Sequence, residues 1–174
     1  SEGVTLTRRQ RAMVDVWDAH VRAEFETGSV DDALGTMIDE PAVYFVPLST
    51  GGDGREAVSD LYGHFIPQLP PDIRIVPVSR TVDDAQIVDE LVMQFTHTVE
   101  MDWLLPGVPP TEAHVELPVV VVVRFEGTEI AYEHVYWDQA SVLAQVGLLD
   151  TDDLPITGAA SARALEARTT HAPR

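Results

Sequence analysis

The chain has 174 residues, of which 45% are hydrophobic and 23% charged, proportions typical of one globular domain with a substantial core. Its 29 acidic and 11 basic residues give a formal net charge of −18, which argues against binding to nucleic acid or to anionic membranes. It contains no cysteine, which excludes disulfides, zinc–thiolate sites, iron–sulfur clusters and a thiol nucleophile.

The N-terminal segment gives no sign of a targeting sequence. The first ten residues lack the apolar stretch of a signal peptide, and no apolar run reaches the ~18 residues that cross a membrane. We therefore expect a cytoplasmic protein that binds neither nucleic acid nor membranes.

A long amphipathic helix is predicted near the N-terminus. Thr7 is a suitable N-cap residue for this helix, and Gly28 is a suitable stop. The residues at spacings of three and four are Met13, Trp17, His20, Val21 and Glu24. This spacing places them on roughly one face of the helix.

Two shorter helices and a strand follow the first helix. A second helix is predicted to begin at Ser29 or Asp31, a strand spans residues 42–48, and a third helix spans residues 55–69 before Pro70–Pro71. The glycine-rich segment between the strand and the third helix is interpreted as a turn.

From residue 72 onward, the alternation of apolar and polar residues predicts strands. The predicted strands span residues 72–82, 86–101, 114–125 and 128–138, and a last helix spans residues 139–149. A loop rich in proline and glycine follows the second of these strands and carries three consecutive apolar residues, Trp103 to Leu105.

Helices grouped before an antiparallel meander indicate an α+β fold. Residues 1–150 form the predicted domain, and residues 151–174 form a polar tail with one short helix. The run Val119–Val123 is apolar on both strand faces, whereas an antiparallel sheet normally leaves one face in water. We therefore expect the outer face to be covered by a second copy in a homodimer, or by the tail folding back.

Three segments carry a resemblance to a known family. They are HVRAEF at residues 20–25, DDALGTM at residues 31–37 and YWDQASVLAQVGLL at residues 136–149. With the element order, they resemble the SnoaL-like branch of the NTF2-like superfamily, which includes polyketide cyclases. The resemblance covers roughly residues 7–150. It implies a cone in which a strongly curved antiparallel sheet wraps around the N-terminal helices and encloses one apolar pocket.

Two distant relatives in that superfamily have mechanisms that do not transfer intact. Ketosteroid isomerase implies a tyrosine and a protonated aspartate as an oxyanion pair, and limonene-epoxide hydrolase implies an Asp–Arg–Asp set around a water. The strand arginines Arg74, Arg80 and Arg124 do not form that set with nearby acids in an obvious way. The cyclase-like use of an acid at the end of the last strand maps best onto Asp138.

The segment EHVYWDQ, residues 133–139, ends the predicted last strand and is rich in titratable groups. In a strand His134, Tyr136 and Asp138 share one face. If that face lines the cone, Asp138 is the candidate acid or base, His134 or His97 is its partner, and Tyr136 donates to a developing oxyanion. Alternatively, Asp138 only caps the helix that begins at Gln139.

A second set of candidates lies on the strand at residues 86–101. His97 shares an apolar face with Met93 and Phe95, where a histidine is either a hydrogen-bonded core residue or a pocket residue. Strand alternation places Asp89 on that face, whereas the resemblance favours Glu90 as the catalytic acid. Both acids remain open.

The expected substrate-binding residues are mostly aromatic. They are Trp17, His20, Tyr44, Tyr62, Phe65, Met93, Phe95, Trp103 and Tyr136. His20 and Glu24 also form an i,i+4 pair of the kind found on helix surfaces. Trp103 with its two leucine neighbours is either a mobile apolar lid or a loop anchor.

No metal or cofactor is expected. His20, His97 and His134 could in principle converge with an acid, but the chain has no H-x-H, H-x-x-E-H or H-E-x-x-H motif. The glycine-rich segment at residues 51–54 lacks the lysine and the spacing of a phosphate-binding loop.

We therefore expect a cofactor-independent enzyme that uses acid–base chemistry in a buried apolar pocket. It would be a cyclase, isomerase, or hydrolase or hydratase for a small hydrophobic molecule such as a polyketide, lactone, epoxide or enone. The alternative is a non-catalytic ligand carrier or dimeric assembly module of the same fold. An enzyme predicts an acid with a perturbed pKa in apolar surroundings, whereas a carrier predicts polar groups that satisfy each other.

Overall fold

The computed structural model describes residues 5–169. The helices are α1 (Arg8–Arg22), α2 (Val30–Leu34), α3 (Arg55–Phe65), α4 (Gln139–Gln145) and α5 (Ala160–Thr169). The strands are β1 (Met37–Phe45), β2 (Thr50–Asp53), β3 (Arg74–Val82), β4 (Gln86–Thr96), β5 (His114–Glu126) and β6 (Glu129–Trp137). This is the α+β architecture expected from the sequence.

The first helix begins and ends where its sequence signals predict. The Thr7 side chain accepts a hydrogen bond from the backbone N–H of Gln10, and the Gln10 side chain accepts one from the backbone N–H of Thr7, which forms a capping box. After Arg22 the helix continues as one π-helical turn, Ala23–Thr27, and Gly28 stops it in the left-handed conformation with φ 63°. The π-helical turn carries Glu24.

The six strands form one curved mixed sheet in the order β2-β1-β6-β5-β4-β3. Neighbouring strands are antiparallel except β1 and β6, which are parallel, so the sheet is not purely antiparallel as the sequence suggested. Strand β6, the last strand of the meander that begins with β3, lies beside β1 and runs in the same direction, which gives this parallel pair.

Three strand predictions differ from the structure by more than two residues. Strand β1 spans Met37–Phe45 instead of residues 42–48, and Val46–Leu48 form a short 3-10 helix. The predicted glycine-rich turn contains β2, where Gly51 at φ 155° approaches the backbone of Val43 so closely that a Cβ would lie 2.0 Å from its carbonyl oxygen. Strand β4 ends at Thr96 instead of residue 101, because β5 begins opposite Thr96 and no strand partner continues beyond it.

The two faces of β5 explain the run of valines. Its odd-numbered residues from Val115 to Phe125 are buried, and the even-numbered residues Glu116 to Val122 are half-buried. The buried set packs toward α1 and α3, where the core and the cavity lie. The half-buried set faces the other side of the sheet.

Helix α5 lies on that outer face. Its Arg163 Nε is 2.6 Å from Glu116 Oε2 on β5, and its Glu166 accepts a hydrogen bond of 2.7 Å from Gln94 on β4. The tail thus folds back over β3, β4 and β5. This is the second of the two coverings that the sequence analysis considered for the outer face. Toward β1 and β6 the outer face stays open, with Tyr44 and Tyr136 at 38% and 44% exposure.

Within residues 5–169, none of the helices combines the length and the apolar composition needed to cross a membrane.

The homodimer through the open part of the outer face remains a prediction, and sedimentation equilibrium tests it. We expect the wild type to have twice the 19.1 kDa chain mass, and Tyr136→Arg to shift it to the monomer, because an arginine would be buried unpaired in the interface.

The matched control is Thr128→Arg, in the exposed turn between β5 and β6, which should leave the mass unchanged. A wild type that is monomeric at every concentration would contradict the prediction.

Candidate active site

A cavity of about 690 Å³ lies between the inner face of the sheet and the α1 and α3 side of the molecule. Its wall is mainly apolar and aromatic, and includes Phe25, Phe45, Phe65, Leu91, Met93 and Trp103. Its volume is in the range of small-molecule sites.

A cluster of four polar side chains is buried at this cavity. It consists of His20 from α1, Glu24 from the π-helical turn, Tyr62 from α3 and Glu133 from β6, with exposed fractions of 0%, 7%, 1% and 4%. His20 Nε2 lies 2.6 Å from Glu133 Oε1 and 3.0 Å from Glu24 Oε1. Tyr62 donates a hydrogen bond of 2.8 Å to Glu133 Oε1. We call these four residues the acid–histidine cluster.

Hydrogen bonds fix the protonation of His20. The Thr36 hydroxyl donates to the carbonyl oxygen of Ala33, so its oxygen is left to accept a proton from Nδ1 of His20, 2.7 Å away. Tyr62 uses its one proton on Glu133, so its oxygen is left to accept from Nε2, 3.0 Å away. Both ring nitrogens therefore donate, which makes His20 an imidazolium.

The electrostatics of the cluster agree with this assignment. Burial alone would lower the pKa of His20, but the carboxylates of Glu133 and Glu24 raise that pKa well above its ordinary value. Burial, reinforced by the charge of Glu133, raises the pKa of Glu24 to about 7 against the pull of His20. Burial and the same two carboxylates raise the pKa of Tyr62, so its hydroxyl stays protonated.

A second polar group lies on the cavity wall formed by α1, β3 and β4. Arg80 donates through Nε and Nη2 to the two oxygens of Asp89, at 2.6 and 2.8 Å, and through Nη1 to Asp18 at 2.9 Å. The hydrogen bonds that Arg80 donates to Asp89 raise the pKa of Arg80, and Asp89 neutralises its charge. Trp17 joins the two polar groups, since its indole N–H donates to Asp89 at 2.7 Å while its ring stacks on His20.

The residues predicted on the last strand lie on the other side of the sheet. Glu133 and Val135 line the cavity, whereas Tyr136 and Asp138 are exposed and His134 stacks on Tyr132. The expectation that His134, Tyr136 and Asp138 face the cavity is wrong, because the strand is oriented with the opposite parity inward.

Asp138 has the alternative role that the sequence allowed. Its carboxylate accepts hydrogen bonds from the backbone N–H of Ala140 at 3.1 Å and the hydroxyl of Ser141 at 2.7 Å, as the N-cap of α4.

The predicted residues on β4 are divided between several environments. His97 is fully buried but outside the cavity wall; burial lowers its pKa, and its Nδ1 contacts Thr111. Asp89 is the buried acid, as strand alternation predicted, and it pairs with Arg80. Glu90 contributes to the cavity wall, but its carboxylate accepts a hydrogen bond from Ser79.

The predicted binding residues divide in the same way. Those on the cavity wall are Trp17, Tyr62, Phe65, Met93 and Trp103. His20 belongs to the cluster without forming the wall itself, and Phe95 is core. Tyr44, like Tyr136, is exposed, and its hydroxyl is hydrogen-bonded to Ser49, so neither is placed to bind a ligand in the cavity.

The loop after β4 is anchored to the core. Met101, Leu104 and Leu105 are at most 1% exposed, and Gln139 holds the carbonyl oxygen of Leu104 at 2.9 Å. The sequence left open whether the Trp103 segment is a mobile lid or a loop anchor, and this arrangement is that of an anchor.

Sequence reasoning missed Glu133 altogether. A signal for it exists, since Glu133 is flanked on its strand face by the apolar residues Ala131 and Val135. The pairing of Asp89 with Arg80 was missed because the partner lies across the β3–β4 ladder, where the two residues are register partners.

The donor atoms of His20, Glu24 and Glu133 lie within 4.8 Å of one another, so among the residues that the structure describes these three could hold a metal ion. The attraction between His20 and the two carboxylates also brings these atoms together, so their proximity does not require an ion.

Solved structures share this fold. A SnoaL-like polyketide cyclase, so named provisionally, from Jannaschia sp. CCS1 has a TM-score of 0.68 at 17% identity, over 85% of this chain and 100% of that chain. A protein of Catenulispora acidiphila with a ketosteroid isomerase-like fold, in complex with trimethylamine, has a TM-score of 0.60 at 18% identity, over 78% and 94%. SalBIII, an epoxide hydrolase/cyclase-like enzyme with a role in pyran ring formation in the polyether salinomycin, has a TM-score of 0.58 at 14% identity. The match covers 76% of this chain and 95% of that chain.

These TM-scores establish a common fold, which is the NTF2-like cone that the sequence resemblance implied. None of the curated proteins compared with this chain matches it significantly. The SnoaL-like domain, however, matches residues 11–133, well over half of the chain. The protein therefore belongs to the SnoaL-like domain family.

Proposed function

We propose that the protein is a small-molecule enzyme that moves a proton on a largely apolar substrate bound in the cavity, without a cofactor. The reaction class is cyclisation, isomerisation or hydration of a polyketide-, lactone-, epoxide- or enone-like molecule. The observation that carries the proposal is the acid–histidine cluster, which places two buried carboxylates at an apolar cavity wall, one of them with a pKa of about 7.

The cluster contains the groups that proton transfer requires. Glu133, held by Tyr62 and His20, would accept a proton from a substrate C–H bond beside a carbonyl or from an attacking water. Glu24 titrates near neutrality, so it can return a proton to the substrate or donate a hydrogen bond to a developing oxyanion. His20 keeps both carboxylates in place and stabilises the charge left on either one.

This assignment replaces the mechanism that the sequence suggested. Asp138 caps a helix on the outer side, so the acid at the wall comes from Glu133, five residues earlier on the same strand. Tyr136 cannot serve as an oxyanion donor from the outer face, and Glu24 supplies a donor at the cavity instead.

The alternative, a non-catalytic ligand carrier, fits the group around Arg80 better than it fits the acid–histidine cluster. Arg80 is paired with Asp89, and the second acid, Asp18, is 43% exposed to solvent, as expected for groups that shape a binding cavity. The raised pKa of Glu24 is what a carrier does not require, since a binding cavity gains nothing from a half-protonated buried acid. We therefore place the enzyme first.

Substitution of Glu133 tests the enzyme. A panel of lactones, epoxides, enones and polycyclic ketones would be screened by thermal shift, and each hit assayed for product. For a compound that the wild type converts, we expect Glu133→Gln to lower kcat by about 100-fold or more while binding persists, because the proton acceptor is lost.

The matched controls are Glu129→Gln, exposed at the start of the same strand, and Asp138→Asn on the outer face. Both should keep the wild-type kcat. If Asp138→Asn lost activity while Glu133→Gln retained it, the assignment of the base would be wrong. Hits that bind but are never converted would favour the carrier.

The pKa of Glu24 predicts a pH-dependent stability. Between its ordinary value of 4.5 and about 7, folded Glu24 keeps a proton that the unfolded chain releases, so the free energy of unfolding falls as pH rises. His20 acts in the same direction, since its raised pKa stabilises the fold at low pH and the gain is lost as pH rises through that pKa. We therefore compare the Tm of Glu24→Gln with that of wild type at each pH. We expect the difference, variant minus wild type, to be roughly 4–8 °C larger at pH 8 than at pH 5.

Thermal unfolding of both proteins at several pH values between 5 and 8 measures this difference. Glu26→Gln, two residues away and exposed, is the control and should follow the wild-type curve in parallel. Parallel curves for Glu24→Gln and wild type would show that Glu24 has no raised pKa.

A further inference from the structure

The acid–histidine cluster presents unpartnered acceptors to the cavity. The contacts from His20 and Tyr62 all reach the Oε1 atoms of Glu24 and Glu133. The Oε2 atom of each carboxylate has no hydrogen-bond partner within residues 5–169, although both side chains are more than nine-tenths buried and both form the cavity wall. A ligand end placed there must bring hydrogen-bond donors or positive charge.

The charge balance of the cluster points the same way. One imidazolium, His20, lies between two carboxylates, so the fully ionised cluster has one negative charge in excess. In the empty cavity a proton on Glu24 neutralises that excess. A monovalent cation on the ligand would neutralise it equally well.

Elsewhere the described cavity wall offers an anion the unpartnered indole N–H of Trp103 but no buried cation that is free of a carboxylate partner. Arg80 directs Nε, Nη1 and Nη2 to the carboxylates of Asp89 and Asp18. Among the described residues of the wall, the other basic side chain is Arg22, which is exposed to solvent. A carboxylate or phosphate ligand would therefore meet acids without a buried counter-charge.

The remaining wall suits an organic cation. Six aromatic side chains contribute to it: Trp17, Phe25, Phe45, Tyr62, Phe65 and Trp103. The Phe65 ring is central, with ring centroids 4.9 Å from Trp103, 6.1 Å from Phe25 and 6.4 Å from Tyr62. Aromatic faces attract ammonium groups and also pack against an apolar body. A bare metal ion would use the carboxylates but none of this wall.

We propose that the cavity binds an organic amine in its cationic form, with the charged nitrogen against Glu24 and Glu133 and the apolar body against the aromatic wall. This inference rests on the cavity and cluster of the proposed function and adds the substrate class. A cationic nitrogen held against the carboxylates also places the carbon atoms bonded to it next to the proposed base.

The proposal couples ligand binding to a proton. The charged groups that face Glu24 are His20 from α1 and Glu133 from β6, with the neutral Tyr62 from α3. A cation that binds at this end displaces the proton of Glu24, so affinity for it rises as pH increases from 6 to 8. A neutral ligand of the same shape lacks this dependence.

Three compounds that share one apolar body test the proposal. They are 1-adamantylamine, 1-adamantanol and 1-adamantanecarboxylate, measured by isothermal titration calorimetry on metal-free protein at pH 6 and pH 8. We expect the amine to bind at least about tenfold more tightly than the alcohol at pH 8, with a smaller difference at pH 6, and the carboxylate not to bind.

The variants Glu24→Gln and Glu56→Gln complete the test, with folding verified by thermal unfolding; Glu56 is exposed at the start of α3 and lies outside the cavity wall. Glu24→Gln should abolish the preference for the amine over the alcohol and leave the affinity for the alcohol unchanged, whereas Glu56→Gln should alter neither. Equal affinity of wild type for amine and alcohol would overturn the proposal. A Zn²⁺ titration that displaces the amine at one ion per chain and binds more tightly would overturn it in favour of a metal site.

The outcome is separable from that of the proposed function. Turnover of a neutral panel compound without any preference for the amine would leave the enzyme standing and remove the cationic substrate. A preference for the amine without turnover of any compound would keep the cation site and favour a carrier.

Discussion

A single imidazolium held between two buried carboxylates joins the parts of this molecule. His20 comes from α1, Glu24 from the π-helical turn after it, Tyr62 from α3 and Glu133 from the last strand of the sheet. Removing one partner from a buried ion pair typically costs about 3–5 kcal/mol, because a charge is left uncompensated. The cluster therefore fixes the helices to the inner face of the sheet at one point, and that point is also a wall of the cavity.

The two polar groups of the cavity differ in how completely they are satisfied. Arg80 meets Asp89 and Asp18 with well-formed hydrogen bonds, and the second acid of this group, Asp18, is 43% exposed to solvent, so no excess charge is buried there. The acid–histidine cluster keeps an excess acid that must take a proton or meet a cation. Trp17 contacts both groups, which makes α1 the element that sets their separation. Chemistry and selectivity are expected where the charge is unbalanced.

Membership of the SnoaL-like domain family and the shared cone establish the family and the fold, but not what is bound or what is done to it. Proton transfer is proposed from side chains of this chain, above all Glu133 and Glu24. A cationic ligand is proposed from the same residues, since within residues 5–169 the contacts from His20 and Tyr62 reach their Oε1 atoms and leave Oε2 for a ligand. Function in this protein therefore depends on the site more than on the fold.

The local elements followed from the sequence because their signals are local. The Thr7 cap, the Gly28 stop and the valine run of β5 each act within a few residues, and the structure shows the helix boundaries and the buried strand they predict. Aromatic residues at helical spacing, such as Trp17 and Tyr62, were also recognised as cavity residues.

The candidate base was decided only by the tertiary structure. Strand alternation shows that His134, Tyr136 and Asp138 share a face, but it does not show which face is inside, and the packing of β6 against β1 and β5 places Glu133 inward instead. The partners of His20 lie on elements distant in the chain, so no spacing motif reveals them. The sequence by itself determined most of the elements, though not β2, and the family resemblance. The register and packing of the sheet determined which acids meet the cavity, because that depends on contacts between residues far apart in the chain.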